Sequence, residues 1–182
     1  MFKVETIGDC YVAVVGLPQP RDDHAVVISR FAFECITSMN ALTKELEVSL
    51  GPGTTELGLR VGLHSGPVTA GVLRGDKSRF QLFGDSMNTT SRVETTGEKG
   101  KVHVSESTAS FIIAAGKQHW LTARAEPVTA KGKGQMQTYW LKPRSRRRAR
   151  AQHEITRAAT TEIQETPLLP PQRIRSSTSN HS

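Results

Sequence analysis

Two runs rich in β-branched residues, Phe2-Lys3-Val4-Glu5-Thr6 and Cys10-Tyr11-Val12-Ala13-Val14-Val15-Gly16, are separated only by Ile7-Gly8-Asp9. β-Branched side chains suit a pleated strand. Gly-Asp supplies the positive φ and the local side-chain hydrogen bonding of a tight turn. The segment predicts a β-hairpin, ended by Pro18 and Pro20. A hairpin alone is marginal in water, so the rest of the chain must cover one of its faces.

The apolar period then changes. Ile28, Phe31, Cys35, Ile36, Met39, Leu42 and Leu46 recur three and four residues apart, which predicts a helix with these side chains on its buried face. Asp22 or Asp23 is its candidate cap, and Gly51-Pro52-Gly53 stops it. Residues 57–66 alternate and predict a strand, 67–73 a short extended piece, and 79–83 another strand. A second helix follows, with Asp85 or Ser86 as cap, then a strand over 101–105 and a helix ending at Gly116. Residues 122–141 predict a strand, a Gly-Lys turn and a last strand. The order β-β-α-β-β-α-β-α-β-β is that of an α+β sheet with helices on one face.

Charge divides the chain. The net charge is +7, and residues 142–182 hold nine Lys/Arg against three Asp/Glu, a net of +6. The domain over 1–141 is therefore near neutral, which argues against nucleic-acid binding by it. The stretch 142–182, with Arg-Ser-Arg-Arg-Arg-Ala-Arg followed by Ser/Thr/Pro/Gln-rich sequence, has too little apolar surface to order itself and reads as a disordered basic tail. Its charge run is read as solvated rather than as a lipid or import signal. Two cysteines, Cys10 and Cys35, make no disulfide framework, which suits a reducing intracellular setting. No apolar stretch approaches the roughly 18 residues of a membrane span, and no leader peptide is visible. The glycosylation triplet Asn88-Thr89-Thr90 and the tripeptide Arg74-Gly75-Asp76 are read as chance.

Three features carry chemistry. Asn88 and Arg92 are i and i+4 near the start of a helix, a cation and an amide on one face, where a phosphate is favoured. Taken alone, a solvated face with Arg92 paired to a nearby acid is the plainer reading. Lys131 and Lys133 lie on a Gly-flexed turn that can fold over phosphates or simply be solvated, and no Walker P-loop occurs. Asp9 at the hairpin bend is a candidate hard-cation ligand, or a turn aspartate bonding its own backbone. Glu5 lies back along the strand, displaced from Asp9 by roughly 13 Å of extended chain, so the two acids are not expected to share one ion.

In order along the chain, "KVETIGDCYVAVVGLP", "LRVGLHSGPVTAGVL", "RFQLFGDSMNTTSRVE" and "KGKGQMQTYWL" resemble the class III adenylyl/guanylyl cyclase catalytic domain, guanylyl branch. The resemblance implies a ferredoxin-like cyclase sheet and a phosphorus-oxygen lyase that converts GTP to cyclic GMP and pyrophosphate in cyclic-nucleotide signalling. It implies two divalent ions, Mg²⁺ or Mn²⁺, with Asp9 matching the second metal aspartate. Asn88 matches the ribose-positioning asparagine, Arg92 the arginine that stabilises the transition state, and Lys131 (Lys133 less well) the lysine on the terminal phosphates. Glu5 stands where guanylyl enzymes carry the glutamate that reads guanine N1 and N2. Gln81 stands at the second base position, where it departs from both the guanylyl cysteine and the adenylyl aspartate. Its amide pairs with guanine O6 or with adenine N6, so the preference for GTP rests on Glu5, and an adenylate cyclase is the alternative. In the family the sites lie between two domains, which implies a homodimer or a heterodimer with a related chain.

The first metal aspartate of the family lies on a strand ahead of this hairpin, with a pattern like "DIVGFT". The sequence starts one residue into the hairpin, so the expectation is a domain lacking its first strand and first helices. Little turnover by the isolated chain is expected, and a non-catalytic regulatory or dimerisation partner is a competing reading. Membrane attachment is expected only through other parts of a parent protein.

Overall fold

The computed structural model describes residues 1–73, 79–130 and 134–142. Lys131, Lys133, the 74–76 tripeptide and the tail from 143 onward lie outside the described residues. Strand β1 (Phe2–Ile7) pairs antiparallel with β2 (Cys10–Val14) around Gly8, whose φ of +62° is the left-handed turn conformation that glycine adopts without strain. The register slips between Lys3 and Glu5, leaving Val4 as a β-bulge. Phe2, Glu5 and Ile7 therefore pair with Val14, Val12 and Cys10 on one face. Lys3 and Thr6 pair with Ala13 and Tyr11 on the other, where Tyr11 meets Phe31 at a ring separation of 6.5 Å.

Helix α1 spans His24–Leu50. Asp23 occupies the cap position without capping: Arg21 donates to both its carboxylate oxygens at 2.9 Å. The buried line is Ala25, Val26, Ser29, Ala32, Ile36 and Thr43, so the expected apolar face is rotated. Of the seven side chains expected inside, only Ile36 is fully buried, and Leu42 is 48% exposed. Small residues allow the helix backbone to approach the sheet, and Ser29 hides its hydroxyl by donating to Ala25 O at 2.6 Å. The sequence offered no span of membrane length, yet α1 is long and apolar enough to cross a bilayer by length and composition. Here its first half packs into the core, and Arg30 lies over the Trp120 ring.

The central sheet orders its strands β3 (Val61–Leu63), β6 (Val102–Ser105), β10 (Thr138–Leu141) and β7 (Leu121–Ala123), with β3–β6 parallel and the other pairs antiparallel. Two further hairpins pair β4 (Thr69–Leu73) with β5 (Arg79–Phe83), and β8 (Val128–Ala130) with β9 (Gly134–Met136). The α+β class is that expected. Helices α1 and α3 (Glu106–Ala114) cover the face that carries Leu63, Val102, Val104 and Leu141, with Ile112 fully buried among them. Helix α2 (Asp85–Thr95) is the exception to the single helical face. Its Glu94 backbone lies against Gly62, and Val93 meets His103, both on the alternate positions of β3 and β6.

Two expected strands are shorter than read. Of 57–66 only Val61–Leu63 pairs. The stretch 122–141 breaks into four short strands, with the Gln137 amide donating to Arg124 O and Thr138 O at the last break. Helix α3 is capped by Ser105, whose hydroxyl accepts from Thr108 N.

Candidate functional site

Helix α2 begins at Gly84, with φ of +123°, and neither Asp85 nor Ser86 caps it by side chain. Ser86 instead turns inward and donates to Pro67 O at 2.7 Å. Ser86, Thr89 and Val93 form the buried stripe. Asn88 and Arg92 fall on the opposite stripe, one helical turn apart, and both are exposed. Among the described residues neither side chain makes a hydrogen bond or ion pair. The plainer expectation, Arg92 paired to a nearby acid, finds no such pair among the described residues, and Glu94, two residues further along the helix, is taken by Arg60, Nε to Oε1 at 2.6 Å. The Asn88–Arg92 face is therefore polar, accessible and uncommitted among the described residues.

The C-terminal end of α2 is held from beneath. His103, fully buried on β6, lies with Nδ1 2.6 Å from Val93 O, and Arg124 donates to Thr96 O at 2.6 Å. A carbonyl only accepts, so Nδ1 carries the proton. Burial pushes the His103 imidazole below its ordinary pKa; the Val93 bond opposes this, Arg124 adds to it and Glu98 offsets a little.

The β1–β2 hairpin carries Asp9 exposed at its bend and Glu5 half-buried on β1. Cys10 shares Glu5's face, and its thiol is pushed up first by burial and then by the charges of Glu94, Asp9 and Glu5. Nothing local in the sequence marks Cys10 as the point where these carboxylates are jointly felt, because Glu94 reaches it through the fold. Among the described residues no group of three His, Cys, Asp or Glu side chains is placed to hold a metal ion. Asp9 thus offers a carboxylate of the right chemistry for Mg²⁺ or Mn²⁺, but only one.

Gln81 is half-buried in β5 opposite Gly71. Its neighbour Phe80 meets Phe2 edge-to-face at 5.4 Å, which brings the strand of Gln81 against the strand of Glu5. Lys131 lies outside the described residues.

Sequence reasoning missed a cleft of about 470 Å³ where the β3–β4 link meets the start of α2, lined in part by His64, Ser65, Phe83 and Asp85. None of Glu5, Asp9, Gln81, Asn88 or Arg92 lines it. Behind it, His64 Nδ1 sits 2.9 Å from Ser105 Oγ, Ser107 donates to Ser65 O, and Thr108 donates to Ser65 Oγ, itself 3.2 Å from His24 Nε2. This net joins the starts of α1 and α3 to the β3–β4 link, and its members are too far apart in sequence for a spacing rule to find.

The family described as "Adenylate and Guanylate cyclase catalytic domain" matches residues 1–143. The chain is 41% identical over 143 residues to the receptor-type guanylate cyclase gcy-28 of Caenorhabditis elegans, covering 78% of this chain and 11% of that protein. It is 42% identical over 142 residues to guanylyl cyclase C of Rattus norvegicus, covering 78% and 13%. Among solved structures, the guanylate cyclase domain of RhGC from Catenaria anguillulae in complex with GTP aligns with a TM-score of 0.63 at 37% identity, over 79% of this chain and 73% of that one. The chain thus spans a small part of these curated relatives and about three quarters of the solved domain. By the order of its motifs, its sheet and these matches, the chain belongs, over residues 1–143, to the adenylate and guanylate cyclase catalytic domain family.

Proposed function

We propose that this domain cyclises GTP to cyclic GMP and pyrophosphate at a site shared between two cyclase domains, a homodimer or a heterodimer with a related chain. The observation that carries the reading is the Asn88–Arg92 face: an amide and a cation one turn apart, exposed, with no partner among the described residues. Such a face is idle in an isolated domain and useful against a second one.

In the proposed reaction the ribose 3′-oxygen bonds to the α-phosphorus, the bond to the β-phosphate bridging oxygen breaks, pyrophosphate leaves, and the 3′-hydroxyl proton passes to solvent. Arg92 faces the charge that builds on the α-phosphoryl oxygens, and Asn88 holds the ribose. Glu5 accepts from guanine N1–H and N2–H₂, and Gln81 donates to O6; against adenine, Glu5 would oppose the N1 acceptor with another acceptor. Lys131 is assigned to the terminal phosphates. Divalent ions polarise the attacking oxygen and bind the leaving group when present. Asp9 alone is an incomplete donor set, so no step here is assigned to it.

That single carboxylate favours a second reading, in which this domain lends Glu5, Asn88 and Arg92 to a site whose metal ligands come from its partner. The reading is tested by turnover of GTP with Mn²⁺, by the chain alone and mixed with a complete guanylyl cyclase domain. Arg92→Ala is expected to lower kcat by about 10²-fold or more, the scale of losing one fixed donor to developing charge. An unchanged kcat in Arg92→Ala would remove the assignment.

A further inference from the structure

We propose that His103 is a positioning residue for Arg92: it fixes the end of α2 to the central sheet so that the outward side chain is presented at one place. The inference rests on the functional reading above for what Arg92 does, and on geometry alone for how it is held.

The last carbonyls of a helix have no intrahelical partner and must find one elsewhere. In α2, Arg92 O accepts from Thr96 N at 3.1 Å and Thr96 Oγ1 at 2.8 Å, and Glu94 O accepts from Gly97 N at 2.9 Å. Those are local bonds, and they would travel with the helix if it moved. Val93 O takes a long local bond from Thr96 Oγ1 at 3.4 Å, but its short bond is from His103 Nδ1 at 2.6 Å, across ten residues, from β6. One residue past the helix, Thr96 O is taken by Arg124 beside β7, again at 2.6 Å. Thus two side chains from outside the helix hold the end of α2, and the one nearer Arg92 bonds the adjacent residue.

His103 has little else to do. It is fully buried, stacks at 4.8 Å on Trp140, and its Nε2 has no hydrogen-bond partner among the described residues. A residue of the core would be apolar unless its polarity were used. The only polar atom of this ring that is used bonds the residue after Arg92. On the same side, Gly62 lets β3 approach α2 so closely that a methyl group there would sit 2.6 Å from Glu94 Cα. The Arg60–Glu94 pair closes the edge. A shift of about 1 Å in a positioned catalytic group can cost on the order of 10²-fold in rate, so a clamp one residue away acts at the scale that matters.

The test uses the full chain with its cyclase partner domain and four variants: His103→Leu, His103→Asn, Arg92→Ala, and His103→Leu with Arg92→Ala. Asparagine keeps a donor near the Nδ1 position, and leucine keeps bulk without it. In hydrogen exchange, His103→Leu is expected to speed the Thr96 and Gly97 amides about tenfold relative to the β6–β10 amides, and His103→Asn to restore them. In turnover, His103→Leu is expected to lower kcat about tenfold or more with KM for GTP within about twofold, and to add nothing in the Arg92→Ala background. Equal losses in both backgrounds, or exchange that rises everywhere alike, would overturn the inference. If His103→Leu does not fold, His103→Phe, which keeps a ring against Trp140 without the Nδ1 donor, replaces it, with the same changes in exchange and turnover expected and their absence counting against the clamp. An Arg92→Ala variant with full turnover sinks the functional reading, while the exchange result still decides whether His103 holds the helix end.

Discussion

Arg60 and Glu94, thirty-four residues apart, meet Nε to Oε1 at 2.6 Å, and this pairing ties the residue before β3 to the last turn of α2. The bond lies at the edge of the β3–α2 contact and is half open to water, since the two side chains are 47% and 28% exposed. Arg60→Ala is therefore expected to cost only about 0.2–1 kcal/mol in denaturant unfolding. A loss above about 2 kcal/mol would mean that the pair does more than tie an edge.

Gly62→Ala should be far worse than its chemistry suggests. The added methyl meets the backbone of Glu94, which cannot swing away as a side chain tip can. Overpacking of this kind costs about 1–3 kcal/mol. The check is a paired melt with Gly53→Ala, where nothing lies within 4 Å and the change should be small. Equal melting temperatures would show that α2 is not seated on β3 as described.

Low pH should loosen the same contact. His103 is neutral in the fold with its pKa held down, chiefly by burial, whereas the unfolded chain protonates it near 6.5. Above that value both states are neutral and the histidine adds no pH dependence. As pH falls below it, the unfolded state binds the proton first and stability declines, until the folded-state pKa is passed. Asp23 and Glu98, whose carboxyls are lowered mainly by hydrogen bonds from Arg21 and Lys101, add a further decline only at more acidic pH. Unfolding midpoints of His103→Asn compared with wild type between pH 7 and pH 5 should show a shallower slope for the variant. Parallel slopes would contradict it.

Base choice is tested by exchanging the two proposed readers. Glu5→Lys with Gln81→Asp, in a domain paired to a complete partner, is expected to move the ratio of ATP to GTP turnover by tenfold or more toward ATP. The physical basis is the change from a carboxylate facing two guanine donors to an ammonium facing adenine N1. An unmoved ratio would mean that other side chains read the base.

Much of the fold was legible where the signal was local. Gly8-Asp9 marked the first turn, residues 79–83 the fifth strand, and Asn88 and Arg92 were rightly read as one helical face. The signal failed where small or polar residues do the packing. Ala25, Ser29 and Ala32 carry the buried line of α1 without standing out as hydrophobic, so the apolar period pointed to a neighbouring face. It failed again where a partner lies far off in sequence. Asp23 reads as a cap until Arg21 is seen to hold it, and His103 reads as an ordinary strand residue until its ring is found against Val93 O of α2.

One extra residue in β1 has a consequence for what this hairpin tolerates. Strands count in twos, so Phe2 and Glu5, three apart, belong on opposite sides; the unpaired Val4 restores them to one. Phe2 then reaches Phe80 while Glu5 stays beside Cys10. Val4 is therefore the place in β1 where the count is slack: a substitution there leaves the bulge as it is, and loss of the residue closes the ladder with Phe2 and Glu5 two apart and still on one face, toward Phe80 and Cys10.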